Sequence, residues 1–153
     1  MIKIERLGHV LLKTEDIEAS VSFYCGMLGF ELVEYQSDGH DKMAFLSLGK
    51  KGHDIDLIQV PKGDLADSES SRVHHIAFQV GSYDALRDAY FSLSDTGIEI
   101  IRSMDHVSQK SIYFKDPDGN IIELYHELEN SIDLFRNGRG DNDAPLSFVR
   151  PCA

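Results

Sequence analysis

The sequence is poor in residues that mark several protein classes. Its 153 residues include four Pro, no Trp and two Cys, which are Cys25 and Cys152. Two cysteines build no disulfide framework, so a reducing cytoplasm fits them best. No apolar run is long enough to cross a bilayer, and residues 1–13 lack the apolar stretch of a signal peptide. We therefore expect a cytoplasmic protein with no membrane partner.

Positive charge is also scarce. Lys+Arg 15 stand against Asp+Glu 26, which gives a formal net charge of -11. This balance repels phosphate backbones and anionic lipid surfaces, so it argues against a nucleic-acid partner. A hydrophobic content of 42% and a charged content of 27% are ordinary for a globular domain with its own core.

What is present is an internal repeat of predicted elements. The first half predicts a strand, a helix with Thr14 as N-cap and three further strands, at residues 7–13, 15–28, 31–35, 43–48 and 55–60. The second half predicts the same order with Ser82 as N-cap, with strands at residues 75–80, 99–102, 111–115 and 120–125. The fold class is therefore α+β, built from two tandem βαβββ modules at about residues 4–61 and 73–127.

The repeat pairs chemically similar residues at a nearly constant offset. His9 and His75 differ by 66 positions, and Asp56 and Glu123 differ by 67. If the modules pair about a pseudo-twofold axis, these four side chains converge in one cleft. Two imidazoles and one or two carboxylates in a cleft make a divalent-metal site.

Glu123 lies in the apolar strand sequence IIELY, where an unpaired carboxylate would be costly. The alternative to metal binding is an ion pair with a cation such as Lys115. For His9 and His75 the alternative is an ordinary core histidine with a hydrogen-bond partner. His74 alternates with His75, which predicts that it lies on the opposite face of the strand.

Three segments carry a family resemblance, namely His9 ahead of TEDIEASVSFYCGMLGF, the segment VHHIAFQV and the segment DPDGNIIEL. With them the chain resembles the vicinal oxygen chelate superfamily of glyoxalases, bleomycin resistance proteins and dioxygenases. The resemblance implies a cupped mixed sheet around a metal cleft, a small-molecule substrate and a homodimer. Residues 1–127 would form one domain, followed by a tail at 128–153 that serves as lid, dimer contact or loose end.

The spacing of His106, Tyr113 and Glu123 around DPDG resembles the signature of extradiol ring-cleavage dioxygenases. Met104 departs from that signature, which prefers Gly, Asn, Thr or a branched aliphatic residue there. The segment GHDIDL resembles the dioxygenase segment whose histidine is the active-site acid and base, which here is His53.

This resemblance implies a division of roles. The metal ligands would be His9, His75 and Glu123, with Fe(II) the expected ion and Mn(II), Ni(II) or Zn(II) the alternatives. The catalytic side chains around a catechol-like substrate would be His53, His106 and Tyr113. Two histidines and one carboxylate leave open positions on a metal, as non-haem Fe(II) oxygenases require. A histidine titrates in the range that a proton shuttle needs.

Asp56 leaves alternatives open. The repeat makes it the counterpart of Glu123, and in glyoxalases that position is a fourth metal ligand. It lies three residues after His53, which on a regular strand means opposite faces. Both reach one cleft only if His53 precedes the strand or a bulge intervenes. The competing functions are therefore a metal-dependent lyase or isomerase and a metal-free small-molecule binding protein.

Overall fold

The computed structural model describes residues 6–37, 42–50, 52–65, 73–137 and 142–150. Cys152 lies outside these residues, as do residues 66–72 between the two predicted modules. The chain forms two compact units, Met1–Ser70 and Ser71–Ala153, and each is described by itself.

The first unit is a four-stranded sheet with one helix. Its elements are β1 Val10–Thr14, α1 Ile17–Gly26, β2 Glu31–Gln36, β3 Met43–Ser47 and β4 Ile55–Gln59. The strand order is β1-β4-β3-β2, in which β1 and β4 are parallel and the other pairs are antiparallel. The helix packs on β3 and β4 and buries Ile17 and Tyr24 against them.

The second unit repeats this arrangement and adds two elements. Its elements are β5 Ile76–Gln79, α2 Tyr83–Asp95, β6 Arg102–Asp105, β7 Gln109–Lys115, β8 Ile121–Glu127, α3 Ser131–Arg136 and β9 Ala144–Pro145. The strand order is β5-β8-β7-β6-β9, with β5 parallel to β8. The βαβββ order predicted for both modules is thus confirmed, and the fold is a mixed α+β fold with two mixed sheets.

The registers of the two parallel strand pairs are equivalent. Leu11 lies opposite Asp56 in the first unit, and Ala77 lies opposite Glu123 in the second. His9 and His75 each lie two residues before these positions, just ahead of the first strand of their unit. The repeat therefore places one histidine beside one carboxylate in each unit.

Several predicted bounds differ in the structure, and β1 begins at Val10 and not at residue 7. Asp16, not Thr14, is the N-cap of α1, because its carboxylate accepts a hydrogen bond from the backbone N–H of Ala19. Thr14 ends β1 and is buried, where its hydroxyl bonds with that of Ser20 at 2.9 Å. Ser82 is the N-cap of α2, as predicted.

Strand β6 begins three residues later than predicted, at Arg102. The repeat predicts this strand at residues 99–102, but pairing with β7 sets its bounds at Arg102–Asp105. The hairpin closes at Val107, which has a φ of 65°. A β-branched residue in the left-handed region is strained, so the surrounding contacts must hold this turn.

The turn between β7 and β8 places Glu123 on its strand. The buried carboxylate of Asp116 accepts hydrogen bonds from the backbone N–H groups of Asp118 and Asn120, at 3.1 and 2.8 Å. Gly119 has a φ of 87°, which a residue with a Cβ rarely adopts. The DPDGN sequence is thus a turn stabilised by its own first carboxylate.

Among the residues that the structure describes, no helix has the length and apolar character needed to cross a membrane.

The N-cap of α2 gives a first prediction. Replacing Ser82 with Ala removes the hydroxyl that accepts from the N–H of Ala85 at 3.1 Å, so the free energy of unfolding should fall by about 1 kcal/mol. Chemical denaturation measures this change. Ser94→Ala in the same helix is the matched control and should be close to neutral, because alanine is the better helix former. Equal losses in both variants would contradict the capping role.

Candidate functional site

The first unit gathers two of the predicted site histidines around Asp56. This first cluster consists of His9, His53 and Asp56, whose potential ligand atoms all lie within 4.8 Å of one another. Nε2 of His9 lies 3.6 Å from Oδ2 of Asp56, and Nδ1 of His53 lies 2.5 Å from Oδ1. The His9 and His53 rings stack with their centroids 4.5 Å apart. Such a set of two imidazoles and a carboxylate fits a divalent metal ion.

His53 and Asp56 are in contact although their spacing of three residues would place them on opposite faces of a regular strand. His53 precedes β4, which begins at Ile55, so its side chain does not follow the alternation of the strand. Asp56 is on β4 and is only 4% exposed. Because a carboxylate only accepts hydrogen bonds, Nδ1 of His53 carries the proton of this contact.

The second unit centres on Glu123, which is 3% exposed. Its Oε1 accepts hydrogen bonds from the Tyr113 hydroxyl at 2.7 Å and from Nε2 of Gln109 at 3.0 Å. Its Oε2 lies 3.0 Å from Nε2 of His75. We call His75, Tyr113 and Glu123 the second cluster. The burial of this carboxylate is therefore offset by polar partners, and not by an ion pair with Lys115, which lies exposed at the end of β7.

The contact between His75 and Glu123 fits joint metal binding. Two ligand atoms about 2.1 Å from an ion and at right angles to each other lie about 3 Å apart. Nε2 of His75 and Oε2 of Glu123 have this separation, at 3.0 Å. The other carboxylate oxygen of Glu123 is already occupied by its two donors. The second cluster therefore offers one imidazole nitrogen and one carboxylate oxygen to a cation.

His106 extends the second cluster into a line of hydrogen bonds. Its Nε2 lies 3.0 Å from the hydroxyl oxygen of Tyr113, and its Nδ1 lies 2.6 Å from Oδ2 of Asp143. Tyr113 donates its only proton to Glu123, and Nε2 of His106 lies at hydrogen-bond distance from the same hydroxyl oxygen. The line runs from Asp143 through His106 and Tyr113 to Glu123.

The environment of Tyr113 raises the pKa of its phenol well above the ordinary value of 10.0. Burial is the largest cause, followed by the hydrogen bond to Glu123 and the negative charge of that carboxylate. Arg102, whose guanidinium lies 4.3 Å from the centroid of the Tyr113 ring, acts in the opposite direction with a smaller effect. Tyr113 is therefore a hydrogen-bond donor at physiological pH and not a phenolate.

The six predicted site residues are distributed over both units. The structure brings His9 and His53 together in the first cluster, and it joins His75, Glu123, Tyr113 and His106 in the second unit. The equivalence of the two histidine–carboxylate pairs is confirmed within each unit. The meeting of His9 with His75 and Glu123 around one ion stays a prediction.

Sequence reasoning missed Gln109 and Asp143. Gln109 is at the start of β7, 14 residues from Glu123, and nothing in its local pattern distinguishes it from a surface residue. Asp143 is 37 residues beyond His106 and lies outside both predicted modules. It offers no sequence signal, because only the pairing of β9 with β6 brings it near.

His74 contacts its neighbour instead of facing away from it. The Nδ1 atoms of His74 and His75 are 2.8 Å apart, and their rings meet edge to face. Both residues precede β5, which begins at Ile76, so strand alternation does not apply to them. The prediction of opposite faces is wrong for this reason.

Known proteins resemble this chain over most of its length. The family model for the Glyoxalase/Bleomycin resistance protein/Dioxygenase superfamily matches residues 6–124. Biphenyl-2,3-diol 1,2-dioxygenase 2 from Rhodococcus globerulus is 30% identical, with 97% of this chain and 79% of that protein covered. Metallothiol transferase FosB from Staphylococcus saprophyticus is 28% identical, with 87% of this chain and 85% of that protein covered.

Other relatives are longer than this chain. Metapyrocatechase from Pseudomonas sp. (strain CF600) is 34% identical over 78% of this chain, which spans only 38% of that protein. Among solved structures, a glyoxylase/bleomycin resistance protein/dioxygenase domain from Frankia sp. EAN1pec has a TM-score of 0.71 at 19% identity. That alignment covers 82% of this chain and 100% of the Frankia domain, and it shows the shared fold.

The raised pKa of Tyr113 predicts how stability depends on pH. An unfolded tyrosine ionises near pH 10, whereas Tyr113 in the folded protein keeps its proton. The stabilisation is therefore fully present below pH 10 and is lost as the pH rises above it. In the metal-free protein, the free energy of unfolding should fall more steeply above pH 10 for the wild type than for Tyr113→Phe.

Phenolate absorbance provides the check. The chain has six tyrosines, so the titration of Tyr113→Phe is subtracted from that of the wild type. The difference should show no ionisation near pH 10 while the protein is folded. A phenolate signal from Tyr113 in that range would contradict the buried hydrogen bond to Glu123.

Proposed function

This chain belongs to the glyoxalase/bleomycin resistance protein/dioxygenase superfamily, and from that premise we propose that it is a metal-dependent ring-cleaving dioxygenase. Its substrate would be a catechol-like molecule, opened beside its two hydroxyl groups. The observation that carries this proposal is the hydrogen-bonded line of His106, Tyr113 and Glu123. These residues resemble the extradiol signature in sequence and are also in contact in the folded unit. The similarity to a biphenyl-diol dioxygenase supports the same reaction class.

The metal would be held by His9, His75 and Glu123. Fe(II) suits two imidazoles and one carboxylate, and Mn(II), Ni(II) and Zn(II) are the alternatives. When bound, Fe(II) would supply the Lewis-acid and redox chemistry that joins a catechol to dioxygen. Oε1 of Glu123 accepts hydrogen bonds from Tyr113 and Gln109. Its other oxygen, Oε2, lies beside His75 and would be the atom that binds the metal.

His53 is proposed to accept the proton that a catechol hydroxyl loses on binding. Asp56 holds Nδ1–H of His53 at 2.5 Å, so Nε2 is the nitrogen that would exchange a proton. A carboxylate that orients an imidazole in this way also stabilises its protonated form. Later in the reaction the same ring would return the proton.

His106 and Tyr113 are proposed to bind the oxygen atoms of the substrate. Tyr113 keeps its proton because burial and Glu123 raise its pKa, and to donate to the substrate its hydroxyl would turn away from Glu123, which accepts that proton in this structure. Nε2 of His106 lies 3.0 Å from the hydroxyl oxygen of Tyr113. Hydrogen-bond donors beside a substrate oxygen stabilise the negative charge that develops on it.

One observation favours a second function. Asp56 lies where the repeat places the counterpart of Glu123, and it is clustered with both His9 and His53. Asp56 as a fourth ligand would suit a metal that acts as a Lewis acid and does not activate dioxygen, as in a metal-dependent lyase, isomerase or thiol transferase. The similarity to a metallothiol transferase supports this alternative. A homodimer in the cytoplasm is part of either proposal and rests on the family and on the low cysteine content.

Anaerobic reconstitution with Fe(II) tests the reaction. The loaded protein should consume oxygen with simple catechols and form a yellow ring-opened product. In the variants His75→Ala and Glu123→Gln, the rate of oxygen consumption should fall by more than about a hundredfold, and the bound iron should be lost. His126→Ala is the matched control, because strand alternation places His126 on the other face of β8 from Glu123. Turnover of methylglyoxal with a thiol, and no oxygen uptake on any catechol, would favour the second function.

A separate variant distinguishes a proton acceptor from a metal ligand at His53. His53→Gln should lower kcat by about a hundredfold or more and leave the iron content unchanged, because only the proton shuttle is removed. Metal analysis alongside steady-state kinetics measures both effects. Loss of iron in step with activity would instead assign His53 to the metal, together with His9 and Asp56.

A further inference from the structure

Residues 144–146 pair with β6 of the second unit. Ala144 pairs with Asp105 and Pro145 with Met104, so β9 extends the sheet at β6. The N–H of Leu146 donates to the carbonyl of Ser103 at 3.0 Å, which continues this pairing.

Side chains beyond β9 anchor the same segment on α2. The Phe148 ring lies 4.9 Å from the ring of Tyr90 and 5.7 Å from that of Tyr83, measured between centroids. Arg150 donates to both carboxylate oxygens of Asp95, at 2.7 and 3.1 Å, and its guanidinium lies over the Phe91 ring. Residues 142–150 therefore have a defined place on this unit.

The residue just before β9 reaches the proposed site. Asp143 places Oδ2 at 2.6 Å from Nδ1 of His106, and the His106 side chain is only 17% exposed. Because a carboxylate only accepts, Nδ1 of His106 donates, and its other nitrogen faces Tyr113 at 3.0 Å. A short, charge-assisted contact of this kind fixes the orientation of an imidazole ring.

His106 lies in the turn between β6 and β7, directly before a residue with a strained backbone. The next residue, Val107, has a φ of 65°, and its N–H donates to the carboxylate of Asp105 at 2.9 Å. Asp105 also forms an ion pair with Lys110 across the hairpin. The backbone of the turn is thus held from β6 and β7, and Asp143 holds the ring from outside the hairpin.

We propose that Asp143 is a positioning residue, which acts through His106 to aim its Nε2 at Tyr113 and the substrate. This inference rests on the proposed function for the role of His106 in turnover. The C-terminal segment then supplies a residue to the site from outside the repeated modules.

The test compares Asp143→Ala and Asp143→Asn with Asp133→Ala in the full-length chain. Asp133 is an exposed acid of α3, so its replacement makes the same charge change in the same C-terminal segment. In the metal-free protein at one fixed pH, ¹⁵N NMR of labelled histidines should show a protonated, slowly exchanging Nδ1 for His106. The signal should be lost in Asp143→Ala and retained in Asp133→Ala.

Kinetics of the iron-loaded protein form the second measurement. Asp143→Ala should lower kcat about tenfold with little change in KM, since ring orientation matters most in the transition state. Asp143→Asn keeps an acceptor oxygen and should recover part of this loss. A His106 signal that is unchanged in Asp143→Ala overturns the inference, as does a changed signal with full kcat.

The two measurements separate the inference from the proposed function. If no variant and no wild-type preparation cleaves a catechol, the ring-cleavage function fails. The NMR comparison still decides whether Asp143 orients His106, because it needs neither metal nor substrate.

Discussion

A buried carboxylate beside an imidazole, at the same place in each of two repeated units, is the interaction on which the site depends. Asp56 and Glu123 lie on the last strand of their modules, each next to the first strand in a parallel pair. Charges this deeply buried are costly unless they have polar partners or a cation. Both carboxylates therefore have polar side chains around them, which offset the cost of burial.

The two units meet this cost in different ways. In the first, both oxygens of Asp56 face histidine rings, at 2.5 and 3.6 Å. In the second, one oxygen of Glu123 takes hydrogen bonds from Tyr113 and Gln109, and the other faces His75. The two repeated units therefore share one backbone arrangement and differ in the polar partners of their buried carboxylates. The first suits proton exchange or a further metal ligand, and the second suits a metal ligand beside hydrogen-bond donors.

The segment beyond the repeat adds to the second unit alone. It extends the sheet at β6 and brings Asp143 to His106, and neither feature has a counterpart in the first unit among the described residues. A repeat can supply a symmetric pair of ligands, but asymmetric chemistry needs residues that only one half receives. The strained backbone of Val107 directly follows His106, and Asp143 contacts the His106 ring.

The sequence by itself determined the repeated βαβββ order, the cap at Ser82 and the equivalence of His9 with His75 and of Asp56 with Glu123. These features are local patterns or a constant offset, and both are readable along a single chain. The sequence did not determine that Asp16 is the N-cap of α1, because Thr14 competes as a cap. It did not determine the start of β6, which pairing with β7 sets, or the orientation of His74, which depends on where β5 begins.

Only the tertiary structure decided that His53 precedes its strand and reaches Asp56, and that Gln109 and Asp143 join the second unit's polar line. Contacts across 14 and 37 residues depend on sheet register and on the path of the chain, which periodicity does not encode. The sequence thus named most of the chemical groups, and the pairing of strands chose their partners.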